Sequence, residues 1–351
     1  MNRKKKGVLF VIALILSCQQ VLFAQNQAYN PYTGQTEDVY RSPMRAILNQ
    51  FSAAFTMGYG RTKYSHTLEG FYFYQDATQQ LLVNNNLGNL PEEFSGYCNW
   101  FNQSLLSNPV NNPLLAGRSF VVDTDTTSLG FISRGRSIPL QLSLHYNAMG
   151  KFRIGGGIMW EGQTFKPFEP TKYGNVIRDF DPGFKKTSYF RYFLVLGYKF
   201  YDFWDYSLAA EINLGKASYG KQFSTIPSSL YTSFGLSIEK NLSEYFRIIV
   251  KPTYDFKKYT LNLDEQGTSI SHNNATFLVH FGISVTFPEI PRSPIAGDKV
   301  NVKHVIMHPQ TGKRVEVRGL PIWKHSDPKV GQNHRKLWRY RAGNRKKANP
   351  Y

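Results

Sequence analysis

Two serine–histidine neighbours, Ser65–His66 and Ser271–His272, are the residue types from which a hydrolase or acyltransferase builds a nucleophile and its base, and Tyr64 stands beside the first. That chemistry requires hydroxyl and imidazole within hydrogen-bond reach, so it depends on which elements bring the two pairs together. A second set is ionic. Arg153, Arg191, Lys199, Arg247 and Lys251 are matched along the chain by Glu161, Glu211, Glu239 and Asp255. Enclosed together, such groups form structural ion pairs or a path for protons and ions, and the structural role is the expectation adopted. A third set is the basic, aromatic C-terminus, where Trp323, Trp338 and Tyr340 alternate with Lys324, Lys329, Arg335, Lys336, Arg339 and Arg341. Rings and cations so interleaved stack and contact phosphates in nucleic-acid proteins, and dock onto anionic surfaces elsewhere. His304 and His308 have no cysteine or carboxylate companion, so neither a metal site nor a cofactor is expected.

The position of the charge decides between those partners. Of the formal +18, residues 1–24 carry +4 and residues 288–351 carry +11, leaving +3 for the long middle. Arg3, Lys4, Lys5 and Lys6 precede an apolar run from Val8 to Leu16, about half of a membrane-spanning helix, which reads as an export signal. Cleavage after Ala24 is the preferred reading, and lipidation at Cys18 is its alternative. Export removes nucleic acid from the expected partners. With Cys18 lost in the leader, Cys98 has no partner for an intrachain disulfide.

The elements that must position these residues are strands. No later apolar stretch is long enough for a spanning helix, yet the chain holds 22 Tyr and 26 Phe. Apolar residues alternate with small or polar ones in eight runs: 51–60, 138–147, 152–163, 190–200, 206–215, 230–239, 246–257 and 276–287. Phe51, Phe55, Met57 and Tyr59 share one face of the first run, and Phe277, Phe281, Ile283 and Phe287 one face of the last. Connections 2–3, 4–5 and 6–7 are short and the others long, the parity of a membrane barrel with short turns on the periplasmic side. Pro252 falls on an outward position and withholds one ladder hydrogen bond. A soluble sandwich also alternates, but does not need an export signal with aromatic residues at most strand ends.

The alternation, the loop parity and the segment "GISVTF" resemble small outer-membrane β-barrels of the OmpA, OmpX and OmpW type over residues 51–66 and 130–287. In that segment Gly282, Val285 and Phe287 take the glycine, apolar and terminal aromatic places of the β-signal read by the barrel-assembly machinery. Phe281 stands where a polar residue is usual. The resemblance implies an all-β fold: a closed eight-stranded antiparallel transmembrane barrel with a basic C-terminal periplasmic extension, in contact with outer-membrane lipid.

The expected organisation is a signal peptide at 1–24, a periplasmic segment at 25–48, the barrel at 49–287 and a basic tail at 288–351. An external loop spans 67–130, and "EEFSGYCNWFNQSLL" within it is read as folding over the barrel mouth. The proline-marked "PEIPRSP" opens the tail, and "VNVKHVIMHPQTGKRVEV" reads as a hairpin turning at Pro309–Gly312. The expected function is non-enzymatic: a barrel fixing Trp323, Lys324, Arg335, Lys336, Trp338, Arg339, Tyr340 and Arg341 in the periplasm, docked onto a secretion or assembly complex or onto peptidoglycan. The alternatives are a conduit for small apolar molecules and a lipid-modifying enzyme using the serine–histidine pairs.

Overall fold

The computed structural model describes residues 27–29, 36–38, 40, 42–76, 79–84, 96–101, 104–105, 120–203, 205–219, 229–243, 245–262, 269–298 and 304–319. In chain order the elements are β1 (Gln27–Tyr29), β2 (Thr36–Asp38), α1 (Pro43–Leu48), β3 (Phe51–Thr67), β4 (Phe71–Gln75), β5 (Gln80–Asn84), β6 (Tyr97–Asn99), β7 (Ser104–Leu105), β8 (Phe120–Asp123), α2 (Thr124–Thr127), β9 (Gly130–Ala148), β10 (Phe152–Phe165), β11 (Glu169–Pro170), β12 (Lys186–Phe203), β13 (Tyr206–Tyr219), β14 (Ser229–Asn241), β15 (Phe246–Asn262), β16 (Ser269–Thr286), β17 (His304–Met307) and β18 (Arg314–Val317). No helix among the described residues is long and apolar enough to cross a membrane. Two compact units result, one of residues 51–241 with 246–285 and one of the flanking segments.

The larger unit is a closed barrel. β3, β9, β10, β12, β13, β14, β15 and β16 pair in that order, and β16 returns to β3. Closure leaves no strand edge unpaired, as a sheet crossing lipid requires. Residues alternate between a buried inner face and an exposed outer one, Phe55, Met57 and Tyr59 pointing out and Ala54 and Thr56 in. The outer face is apolar on every strand, with Leu142, Leu144, Ile154, Ile158, Leu194, Leu214, Phe234, Ile248 and Ile283 all exposed. That band identifies the barrel as transmembrane, since so much exposed apolar surface is stable only against lipid. The β14–β15 ladder is interrupted at the outward-facing Pro252, between Gly235↔Thr253 and Ile238↔Val250.

Strands run further than the sequence alternation reaches. β9 begins at Gly130, eight positions before the apolar period starts at Ile138, and β12 begins at Lys186. Beyond the band the outward residues become Arg134, Arg136 and Lys186, so the hydrophobic signal ends while the hydrogen-bonded pairing continues. The chain enters at Phe51, opposite Tyr146, and leaves at Val285, opposite Phe246. Both points lie at the end with the short connections.

At the other end the segment between β3 and β9 has structure of its own. Strands form a sheet in the order β7-β6-β5-β4-β8. The Asp123 carboxylate caps α2 by accepting the Asp125 N–H at 3.0 Å. The Thr124 hydroxyl donates to the Phe71 carbonyl at 2.7 Å, tying α2 to β4. Gln75 Nε2 donates to the Val176 carbonyl and Arg178 Nη2 to that of Asp76, both at 2.8 Å, fastening the sheet to the β10–β12 connection. Burial, with Asp76 beside it, raises the pKa of Tyr74 in this sheet.

The smaller unit joins segments from both ends of the chain. β17 and β18 form a hairpin, His304↔Val317 to Met307↔Arg314, whose turn uses Gly312 at φ +62°. Tyr40 bridges Val315 in parallel, its N–H donating to the Arg314 carbonyl at 2.9 Å. Lys313 Nζ sits 4.9 Å from the centre of the Tyr40 ring. His304 Nε2 lies 2.8 Å from Asp298 Oδ2, so His304 does have a carboxylate companion, contrary to the sequence expectation. Tyr40, Arg45, Pro291, His308 and Val317 line a cavity of about 310 Å³ in this unit.

Candidate functional site

Three storeys of side chains fill the barrel, each assembled because alternate residues of eight strands converge on one axis. Nearest the short connections, Arg153 Nη1 bridges Glu211 at 2.7 Å and Glu239 at 2.6 Å. Lys251 Nζ reaches the second Glu211 oxygen at 3.3 Å, and Arg247 the second Glu239 oxygen at 3.5 Å. Except for Arg247, all these side chains are less than a tenth exposed, so the two carboxylates are held by three cations in a nearly dry space. His145 is buried close by, on the inward face of β9.

The middle storey is a second network. Arg191 pairs with both Glu161 and Asp255, and Lys257 reaches Glu161 at 3.3 Å; all four are fully enclosed. Gln163 Nε2 donates to Glu161 at 2.7 Å and to the Tyr189 hydroxyl at 2.6 Å, and Asn274 donates to Gln163 Oε1 at 3.3 Å. The Arg191 guanidinium also lies 4.9 Å from the Tyr231 ring. Sequence parity places Lys257 and Gln163 inward but did not single them out. Tyr189 lies one residue before the alternating run that begins at Phe190.

Lys199, expected among the inner pairs, is not among them. The β12–β13 register shifts between Lys199 and Tyr201, and Lys199 instead binds Asp202 at 2.7 Å, both partly exposed at the barrel end. Lys199 itself stays in register opposite the inward Ala209, so its place at the barrel end, within reach of Asp202, is what keeps it from the inner carboxylates.

The top storey is aromatic. Trp100 from the loop stacks on Phe180 with centroids 3.9 Å apart and packs 4.7 Å from Phe131. Phe73, Phe101, Phe165, Phe168, Leu261 and Ile270 complete the cluster. His66 and His272 meet inside it, ring centroids 5.4 Å apart, and His272 stacks on Tyr259 at 4.7 Å. Neither His66 nitrogen has a hydrogen-bond partner. The serines do not join them. Ser65 and Ser271 occupy the alternate, outward positions of β3 and β16, so strand alternation separates each hydroxyl from the adjacent imidazole. The serine–histidine constellation considered from sequence is therefore not assembled; the two histidines are brought together as packing groups under the loop sheet.

At the seam, Gly282 is needed for shape. A Cβ there would stand 2.0 Å from the Phe55 carbonyl oxygen and 2.6 Å from Thr56 Cα, so β3 and β16 approach only because it is absent. Val285 pairs with Phe246, and Phe287 follows β16 with its ring exposed. Trp323, Lys324, Arg335, Lys336, Trp338, Arg339, Tyr340 and Arg341 lie outside the described residues, as do residues 1–24, the expected export signal with Cys18.

No protein-family model matches the chain, and no curated protein matches it. Among solved structures, the chain is similar to the outer membrane protease OmpT from Escherichia coli, at 11% identity and a TM-score of 0.33, over 68% of this chain and 97% of that one. It is similar to Ail, the attachment invasion locus protein of Yersinia pestis, at 12% identity and a TM-score of 0.24, over 67% and 99%. The translocator domain of the autotransporter NalP from Neisseria meningitidis follows at 8% identity and a TM-score of 0.21, over 69% and 91%. A protease, an attachment protein and a translocator do not share one activity. The eight-stranded closed barrel described above is accordingly established by its own pairing and by its lipid-facing band.

Proposed function

We propose that the chain is a non-enzymatic outer-membrane anchor, a plugged barrel that fixes a basic, aromatic segment in the periplasm and docks it onto an envelope complex or the cell wall. The observation that carries this reading is the filled interior: two ion-pair storeys beneath an aromatic one occupy the barrel, which supports a pedestal over a conduit for apolar molecules. The separation of Ser65 from His66 and of Ser271 from His272 by strand alternation weighs against a lipid-modifying enzyme built on these pairs. The chain enters and leaves the barrel at the short-connection end, which in outer-membrane barrels faces the periplasm, and this supports reading the +11 of residues 288–351 as periplasmic.

Deleting residues 319–351 tests the reading. The truncated protein should insert and run with heat-modifiable mobility, yet lose the partner or the sacculus that sediments with the full chain. Added salt and the double change Trp323→Ala/Trp338→Ala should each weaken that association, the first by screening the cations and the second by removing the desolvated anchors. A truncated barrel that keeps every partner overturns the docking role.

A further inference from the structure

Strand register builds a patterned patch on the outer wall. Across β3, β9, β10 and β12, one row runs Arg61↔Arg136↔Thr164↔Lys186, and just beyond it Lys63 pairs with Arg134. All five cations are exposed. Like charges placed directly opposite destabilise a strand pair, and here two such pairs, Arg61↔Arg136 and Lys63↔Arg134, lie in succession. Among the described residues no carboxylate pairs with any of the five, and no acidic residue occupies an outward position on these four strands short of Asp202 at the far end. Among the described residues the five cations are thus open to an anion from the surroundings.

Toward the band the next row contains Ile138, Gly162 and Ser188, and the row after it Leu140, Trp160 and Phe190. Gly162 leaves a depression in this face. The Trp160 indole lies across it, 3.2 Å from where a Cβ on Gly162 would stand. A groove of about 770 Å³ results, with Arg136 and Lys186 at its charged rim and Tyr59, Ile138 and Trp160 along its apolar part. That volume falls in the range of small-molecule sites, roughly 300–1,000 Å³.

We propose that this groove binds a lipid of the surrounding leaflet whose sugar headgroup carries more than one phosphate. Its acyl chain would lie on Gly162 between Ile138 and Trp160, and its phosphates would meet Arg136 with its β3 neighbours on one side and Lys186 on the other. The two groups of cations are separated by uncharged Thr164, and with strands about 4.8 Å apart the row spans about 14 Å, wider than a single phosphodiester needs. Arginine forks suit phosphate oxygens, and the boundary between apolar band and basic row is the height at which a lipid presents its headgroup. The inference rests on the barrel lying in a membrane and is independent of the docking role.

The test uses the full chain purified in mild detergent and titrated with an acylated glucosamine disaccharide bearing two phosphates, its monophosphate, and phosphatidylglycerol. The bisphosphate should bind best. Arg136→Gln/Lys186→Gln should weaken it about thirtyfold, each cation near an anionic headgroup contributing about a factor of five. Lys216→Gln/Lys258→Gln removes the same charge from exposed outward positions on β13 and β15 and should change binding by less than about twofold. Equal losses in the two doubles, an unchanged Arg136→Gln/Lys186→Gln variant, or equally tight binding of the three lipids would each overturn the site. If the first double fails to insert, Gly162→Val decides: it keeps every charge, fills the depression and should abolish bisphosphate preference, whereas retained preference rejects the groove. Failure of the wild-type chain to give a heat-modifiable band would instead count against the membrane barrel itself.

Discussion

The two walls of the barrel treat charge in opposite ways. On the inner wall Glu161, Glu211, Glu239 and Asp255 each meet at least one cation, and most of these groups are almost completely enclosed. On the outer wall Arg61, Lys63, Arg134, Arg136 and Lys186 stand together with no carboxylate among the described residues. The reason is the medium. An unpaired ion in a closed interior costs several kcal/mol, so the sequence must supply its partner, whereas a cation at the edge of the lipid can be balanced by what surrounds the protein. A charge's environment, more than its identity, determines whether its counter-ion is encoded in the same chain.

Four substitutions would break or sharpen that contrast, measured by urea unfolding of the lipid-inserted protein. Glu211→Ala should have the largest effect, about 3–5 kcal/mol, because Arg153 loses one of its two carboxylate partners and Lys251 its one described ion-pair partner. A loss under 1 kcal/mol would show that water reaches this storey. Trp100→Ala follows, at about 3 kcal/mol, by emptying the space between Phe131 and Phe180. Should stability hold while the loop becomes protease-sensitive, the aromatic storey is a lid and not part of the cooperative fold. Glu239→Gln should cost about 1–2 kcal/mol, since the amide still accepts a hydrogen bond and Arg153 keeps Glu211. Arg61→Gln should have the smallest effect, within about 0.5 kcal/mol, and in detergent free of anionic lipid it should be stabilising by relieving the Arg61↔Arg136 opposition. Clear destabilisation there would mean that the outer cations are paired within the protein after all.

How much of this could be read beforehand follows from where period two holds. Within the lipid band every outward residue must be apolar, so parity alone sends Arg153, Arg191, Glu211, Glu239 and Lys251 inside, where they are found. Lys199 keeps its register opposite Ala209, but it stands at the barrel end, where its long side chain reaches Asp202 beyond the shift instead of the inner carboxylates. The aromatic storey was less legible. Phe73, Trp100, Phe168 and Phe180 come from short strands and connections, in which no alternation runs long enough to assign a face. Ser65 and His66 were correctly placed at one strand end, but neighbours in a strand point opposite ways, and that elementary fact separates the hydroxyl from the imidazole. The basic row was spelled out in the sequence too. It begins where the hydrophobic period stops, so alternation alone assigns it no face.

Gly282 has a consequence for the order of events. Pairings such as β9–β10 and β12–β13 join strands adjacent in sequence through short turns, whereas the β16–β3 seam joins the two ends of the barrel sequence. Closing it carries the largest loop-entropy cost, so it is the step expected last and slowest. The missing Cβ at Gly282 lies at that seam, against the backbone of Phe55 and Thr56. A Gly282→Ala chain would therefore form its hairpins at the ordinary rate and stall as an open sheet with two unpaired edges. In this molecule the last strand acts as a kinetic latch whose fit needs a hydrogen in place of a methyl group on both sides of the seam, at Gly282 on β16 and at Gly60 on β3, where a Cβ would stand 1.9 Å from the Phe277 carbonyl oxygen.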